Sequence, residues 1–165
     1  RLANPLSGWM GHAAPFAFED PYRPAPGIKR WLTGTPPVLG LTALEAALTI
    51  WDDINLGTVE AKSAALWDIL HEAGTTVGLE CVTPSDSAAR GSHISFRHPH
   101  AYEIVQALID RGVIGDFRDP DIARFGLTPL TLSHEQVWQA GQILQDIVAS
   151  ESWRDPRYAV RNAVT

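Results

Sequence analysis

Only two lysines, Lys29 and Lys62, and one cysteine, Cys81, occur in the chain. A single cysteine excludes an internal disulfide framework and any CxxC zinc site, and it suits a reducing cytoplasm. Six histidines are present, but none forms an HExxH pair. His98 and His100 flank Pro99 and read as a polar loop, not a metal site. No run of about 18 apolar residues occurs, so no transmembrane helix is expected, and no secretory leader pattern is visible. Basic charge is also scarce: 13 Lys and Arg against 19 Asp and Glu give a net charge of −6. That balance argues against nucleic acid as the main partner, because neutralising phosphates requires clustered cations.

Apolar residues make up 45% of the chain, enough for a sizeable core. The 165 residues suffice for one medium domain or pieces of two, and a start at Arg1 fits a truncated or processed fragment. Residues 1–37 are dense in Gly and Pro yet carry Trp9, Phe16, Phe18, Tyr22 and Trp31. So many aromatics do not suit a solvated linker, and the segment reads as an ordered, functional loop. From Pro36 the pattern turns helical. "PPVLGLTALEAALTIWDDI" carries almost no charge before Glu45, as a helix buried in a larger body would. A second helix is expected from Thr58 as N-cap to about Ala73, with Gly74 as its stop and Val59, Leu66, Ile69 and Leu70 on one face.

Beyond Gly74 the texture changes. "GLECV" and "HISFR" read as strands. "HAYEIVQALIDRG" reads as an amphipathic helix with Ile104, Val105, Leu108 and Ile109 on one side. "VIGDFR" and "IARFGL" are two further strands around the turn "DPD". The last helix opens with a Ser133–Gln136 capping box and turns Val137, Leu144 and Val148 to the core. The order β-β-α-β-β-α describes a small α+β domain from about 75 to 151.

Five residues stand out chemically. In "TGTPP", Thr35 is placed to cap a helix beginning at Pro36, and a helix start with a hydroxyl beside it is suited to an anion. Thr35 therefore either simply caps or also binds phosphate. Arg124 lies in an apolar strand between Ala123 and Phe125 and needs an anionic partner there. Its fork suits a ligand carboxylate or an internal pair with Asp116 or Asp119, and both readings stand open. Arg118, beside the turn, reads as a structural pair or surface residue. Trp9, flanked by Gly8, either faces a ligand with its ring and N–H or packs in the core. His12 reads as a structural hydrogen-bonding residue, since no nucleophile motif accompanies it.

Taken in order, "GWMGH", "PGIKRWLTGTPPVLGLTALEAAL", "GSHISFRHP", "LIDRGVIGDFRDPD" and "IARFGLTPL" resemble the kynureninases, pyridoxal-5′-phosphate enzymes of fold type I. The resemblance runs through most of the chain. It implies that Trp9 and Thr35 help bind the cofactor phosphate and that Arg124 binds the substrate's α-carboxylate. It further implies hydrolysis of L-kynurenine to anthranilate and L-alanine, or of 3-hydroxykynurenine to the hydroxy derivative, in tryptophan catabolism by a cytoplasmic homodimer, with the GW and GTPP loops near the dimer interface. Such an enzyme needs a Schiff-base lysine. Neither Lys29 nor Lys62 matches the family's lysine context, so no catalytic residue is assigned within the chain and that lysine is expected upstream of Arg1.

The fold class implied is α/β with α+β, the C-terminal part of a fold-type-I transferase. Residues 1–57 would end the large cofactor-binding domain, and 58–165 would form a linking helix and the small domain. On this reading the chain is inactive without the missing N-terminal portion. The alternatives are another fold-type-I enzyme, such as a cysteine desulfurase or class V aminotransferase, and a non-catalytic binding module.

Overall fold

A computed structural model describes residues 4–161. It divides into two compact units, Arg1–Ile54 and Asn55–Thr165.

The first unit is an irregular loop followed by helix α1, Val38–Leu48. The loop is tied to itself by a bridge between His12 and Pro24. Backbone hydrogen bonds from Ala13 N–H to the Arg23 carbonyl (2.7 Å) and from Ala25 N–H to the Gly11 carbonyl (2.8 Å) flank it. The expected helix start at Pro36 is corrected: α1 begins two residues later, Pro37 occupies the cap, and no side chain caps it. The cause is the proline pair. A residue before proline is pushed out of the helical region, which constrains Thr35 and then Pro36 in turn. Pro37 itself has ψ 84°. No residue of α1 is buried, although it is almost wholly apolar, and Leu39 is 88% exposed.

The second unit opens with α2, Leu56–Thr76, capped by the Asn55 side chain, which accepts from Thr58 N–H. The helix therefore starts before Thr58 and runs past Gly74. Its stop is Gly78, in the left-handed region at φ 81°, where a residue without Cβ is favoured. Gly74 has a different reason to be glycine: a Cβ there would fall on the Phe96 ring.

Strands β1 (Glu80–Cys81) and β2 (His93–Arg97), helix α3 (Ala101–Asp110), strands β3 (Asp116–Arg118) and β4 (Ile122–Gly126), and helix α4 (His134–Ala149) follow in the expected order. The four strands form an antiparallel sheet in the order β1-β2-β4-β3. Ile94 and Phe96 of β2 and Ala123 and Phe125 of β4 join Leu66, Leu70, Ile104, Leu108 and Leu144 in one core. The Ser133–Gln136 capping box is present in both directions.

Two expectations about this core are corrected. Ile109 is 40% exposed, because α3 ends one residue later and its last turn leaves the core face. The core also continues past residue 151: Trp153 and Tyr158, held in short 3-10 turns at Ser152–Arg154 and Pro156–Ala159, are both buried in it. Such turns have neither helical nor strand periodicity, so their apolar residues do not announce themselves.

Candidate functional site

The GW loop is built by close backbone approach. A Cβ on Gly8 would fall inside the Thr33 carbonyl, so the chain just before Trp9 lies directly on the chain just before Thr35. The two segments singled out in the sequence are thus packed together within the first unit. Asn4 reinforces the arrangement by donating from Nδ2 to the Arg30 carbonyl (3.2 Å). His12 is buried. It accepts at Nδ1 from Ala14 N–H (3.0 Å), which puts its proton on Nε2, facing the Pro21 carbonyl at 3.3 Å. Its part is to shape the loop, as the sequence suggested.

Trp9 is not a core residue: it is 47% exposed. Its ring meets Phe16 edge-on, with centroids 5.4 Å apart. Its indole N–H has no hydrogen-bond partner among the described residues, and neither has the exposed Thr35 hydroxyl. Thr35 does not cap α1, so its hydroxyl is not consumed there. The first intrahelical bond of α1 is from Leu41 N–H to the Pro37 carbonyl (2.9 Å), leaving the N–H groups of Val38, Leu39 and Gly40 without helical acceptors. Elsewhere in the loop, Arg30 Nε is buried without a partner among the described residues. The first turn of α1 carries no acid, so its free N–H groups are donors that a phosphate could use; Glu19 and Asp20 line the cavity beside Trp9.

Arg124 belongs to the second unit. Alternation along β4 buries Ala123 and Phe125 and turns Arg124 to the opposite face of the sheet. The register sets it between Ser95 of β2 and Asp116 of β3. Its Nε donates to Asp116 Oδ1 (3.0 Å) and Oδ2 (3.2 Å), and its Nη2 donates to Oδ2 (2.7 Å). The internal pair considered from the sequence is therefore formed, with Asp116 and not Asp119, whose carboxylate meets Arg161. The Arg124 guanidinium beside Asp116 holds its carboxyl below the usual carboxylate range, and Arg118 adds to the effect. Arg118 reaches the same carboxylate at 3.4 Å, consistent with a surface pairing role. Arg124 nonetheless keeps 37% of its side chain exposed, and its Nη1 has no partner among the described residues.

In the sequence, Asp116 is only one of two possible neutralisers of Arg124. The signal for more was the separation of eight residues across a short turn, which sets them opposite each other on adjacent strands.

The fold is that of the class expected from the sequence, the fold-type-I transferases. A solved chain, the apo structure of a cysteine desulfurase from Thermococcus onnurineus NA1, shares the fold with a TM-score of 0.70 at 19% identity, covering 88% of this chain and 39% of that one. The family model for the kynureninase C-terminal domain matches residues 59–144, and the chain belongs to that family. It is 46% identical to a kynureninase of Burkholderia mallei (strain SAVP1) over 98% of its own length, and 44% identical to one of Pseudomonas fluorescens over 99%. In both cases it spans 40% of the length of the curated relative.

Proposed function

We propose that the chain is the C-terminal part of a pyridoxal-5′-phosphate-dependent kynureninase. With the portion that precedes it in full-length relatives, it would hydrolyse L-kynurenine to anthranilate and L-alanine, or the 3-hydroxy form to hydroxyanthranilate and L-alanine. The observation that carries this reading is the 46% identity to a kynureninase along practically the whole chain. The exposed apolar α1 supports the second part, since a helix of this composition calls for cover from the rest of a large domain. We assign the working form to a cytoplasmic homodimer.

Trp9 and Thr35 would hold the cofactor phosphate, the first through its indole N–H and the second through its hydroxyl beside the α1 start. When bound, the cofactor's ring supplies the electron sink for cleavage next to the amino-acid carbon. Arg124 would fix the substrate's α-carboxylate by a bidentate contact, so that the scissile Cβ–Cγ bond is held in a reactive orientation. Neither lysine of this chain is assigned the Schiff base. That group is assigned to the preceding portion of the protein.

The test is a steady-state comparison of the full-length protein supplied with cofactor and offered L-kynurenine, 3-hydroxy-L-kynurenine or L-cysteine. Anthranilate or its hydroxy derivative appearing with equimolar alanine supports the reading. Alanine from cysteine alone, with neither kynurenine consumed, rejects it for the desulfurase alternative.

A further inference from the structure

We propose that Asp116 is a positioning residue, gripping Arg124 by its Nε/Nη2 edge so that the Nη1/Nη2 edge is presented to the substrate's α-carboxylate. This rests on the reading of Arg124 as the carboxylate ligand.

A guanidinium has five N–H donors arranged as two usable forks. The three contacts to Asp116 consume Nε–H and one Nη2–H. The remaining Nη2–H and both Nη1–H have no acceptor among the described residues, and together they form the second fork. Asp116 thus occupies one edge of the cation without blocking the other.

The arrangement is fixed by the backbone. Asp116 and Arg124 are direct partners in the β3–β4 register, so the short aspartate needs few rotamers to reach its target. A long arginine side chain with many rotamers is thereby held in one plane. Charge favours the same conclusion. Arg118 approaches the Asp116 carboxylate from two residues away, at 3.4 Å, so two cations share one acid. The group retains a net positive charge with which to attract a second carboxylate. A simple neutraliser would leave no such surplus.

The experiment uses the full-length holoenzyme and two probes. L-Alanine carries the α-carboxylate, and kynuramine is the amine formally obtained by removing it from kynurenine. Calorimetric dissociation constants are measured for wild type, Asp116→Ala, Asp116→Asn and Arg124→Ala, together with melting temperature and cofactor content. The expected result for Asp116→Ala is alanine binding weakened about tenfold or more with kynuramine binding unchanged, and KM for kynurenine raised more than kcat is lowered. Asp116→Asn, which keeps the shape and one acceptor, should show a smaller version of the same split, and it serves if the alanine variant does not fold. Alanine binding that is unchanged or tighter overturns the proposal, because Asp116 is then a bystander or a competitor. Equal weakening of both probes also overturns it, because the role is then merely structural. Arg124→Ala separates the two levels of inference. If it discriminates between the probes and Asp116→Ala does not, only the positioning role fails. If it does not discriminate, the assignment of Arg124 fails as well.

Discussion

Asp116 and Arg124 stand opposite each other on β3 and β4, joined by a two-pronged contact of 3.0 Å from Nε and 2.7 Å from Nη2, on the face of the sheet turned away from the core. An arginine so held is rigid on one edge and available on the other. That combination suits recognition of a planar carboxylate better than a mobile cation would.

Replacing Arg124 by Lys in the full-length enzyme keeps the charge but loses the fork. We expect kcat/KM for kynurenine to fall on the order of a hundredfold, about 3 kcal/mol. Cofactor content, read from absorbance of the purified protein, should stay near that of wild type. Parallel loss of cofactor and turnover would point instead to a structural role for Arg124.

Trp9→Phe and Thr35→Ala should show the opposite pattern. Each removes one donor to a charged group, a contact worth about 1.5–3 kcal/mol. Cofactor dissociation constants measured by dialysis and refilling should rise by roughly ten- to a hundredfold. Once the cofactor is saturating, KM for kynurenine should be little changed. Unaltered cofactor retention in both variants would contradict the phosphate assignment.

Gly8→Ala tests the packing of the loop itself. The added methyl would enter the Thr33 carbonyl. Because the obstacle is backbone, relief requires moving one strand of the loop, at a cost of about 1–3 kcal/mol. The expected outcome is weakened cofactor retention in a protein whose Trp9 and Thr35 are both intact. Wild-type retention would mean that the spacing of these two segments is unimportant.

Much of the second unit was legible because its elements are regular. The Ser133 cap and most of the α3 stripe are local patterns, and they appear where expected, Ile109 excepted. What failed was non-local. Gly74 looks like a helix stop in one dimension, but it is kept small by a phenylalanine 22 positions further on. Trp153 and Tyr158 seal the core from turns without periodicity. At the candidate site, the residue types were readable while the pairing geometry was not: sequence alone left Asp116 and Asp119 equivalent, and only strand register chooses between them. Thr35 was misread as a cap because the backbone restriction imposed by two consecutive prolines outweighs the capping preference of a threonine.

The entrance to α3 should respond to mild acid. Burial pushes the His98 imidazole below its ordinary value of 6.5, the neighbouring His100 pushes the same way, and Glu103 opposes both. A histidine whose folded-state value is depressed binds its proton more readily when unfolded. Stability is therefore undiminished above pH 6.5 and falls as the pH drops from there through the folded-state value. His98 also accepts from His100 N–H at Nδ1 (3.0 Å), a bond an asparagine oxygen can replace. In His98→Asn, the decline in melting temperature between pH 7 and pH 5 should be shallower than in wild type. Identical slopes would show that other groups govern it.

A crystal structure of the full-length holoenzyme with L-alanine bound tests the central claim most directly. The account predicts the cofactor phosphate within hydrogen-bond reach, about 3 Å, of the Thr35 hydroxyl and the Trp9 indole nitrogen, and the alanine carboxylate on the Nη1/Nη2 edge of Arg124 with Asp116 still on the other. A phosphate held by other groups, or an alanine carboxylate bound elsewhere while Arg124 contacts Asp116 alone, would contradict it.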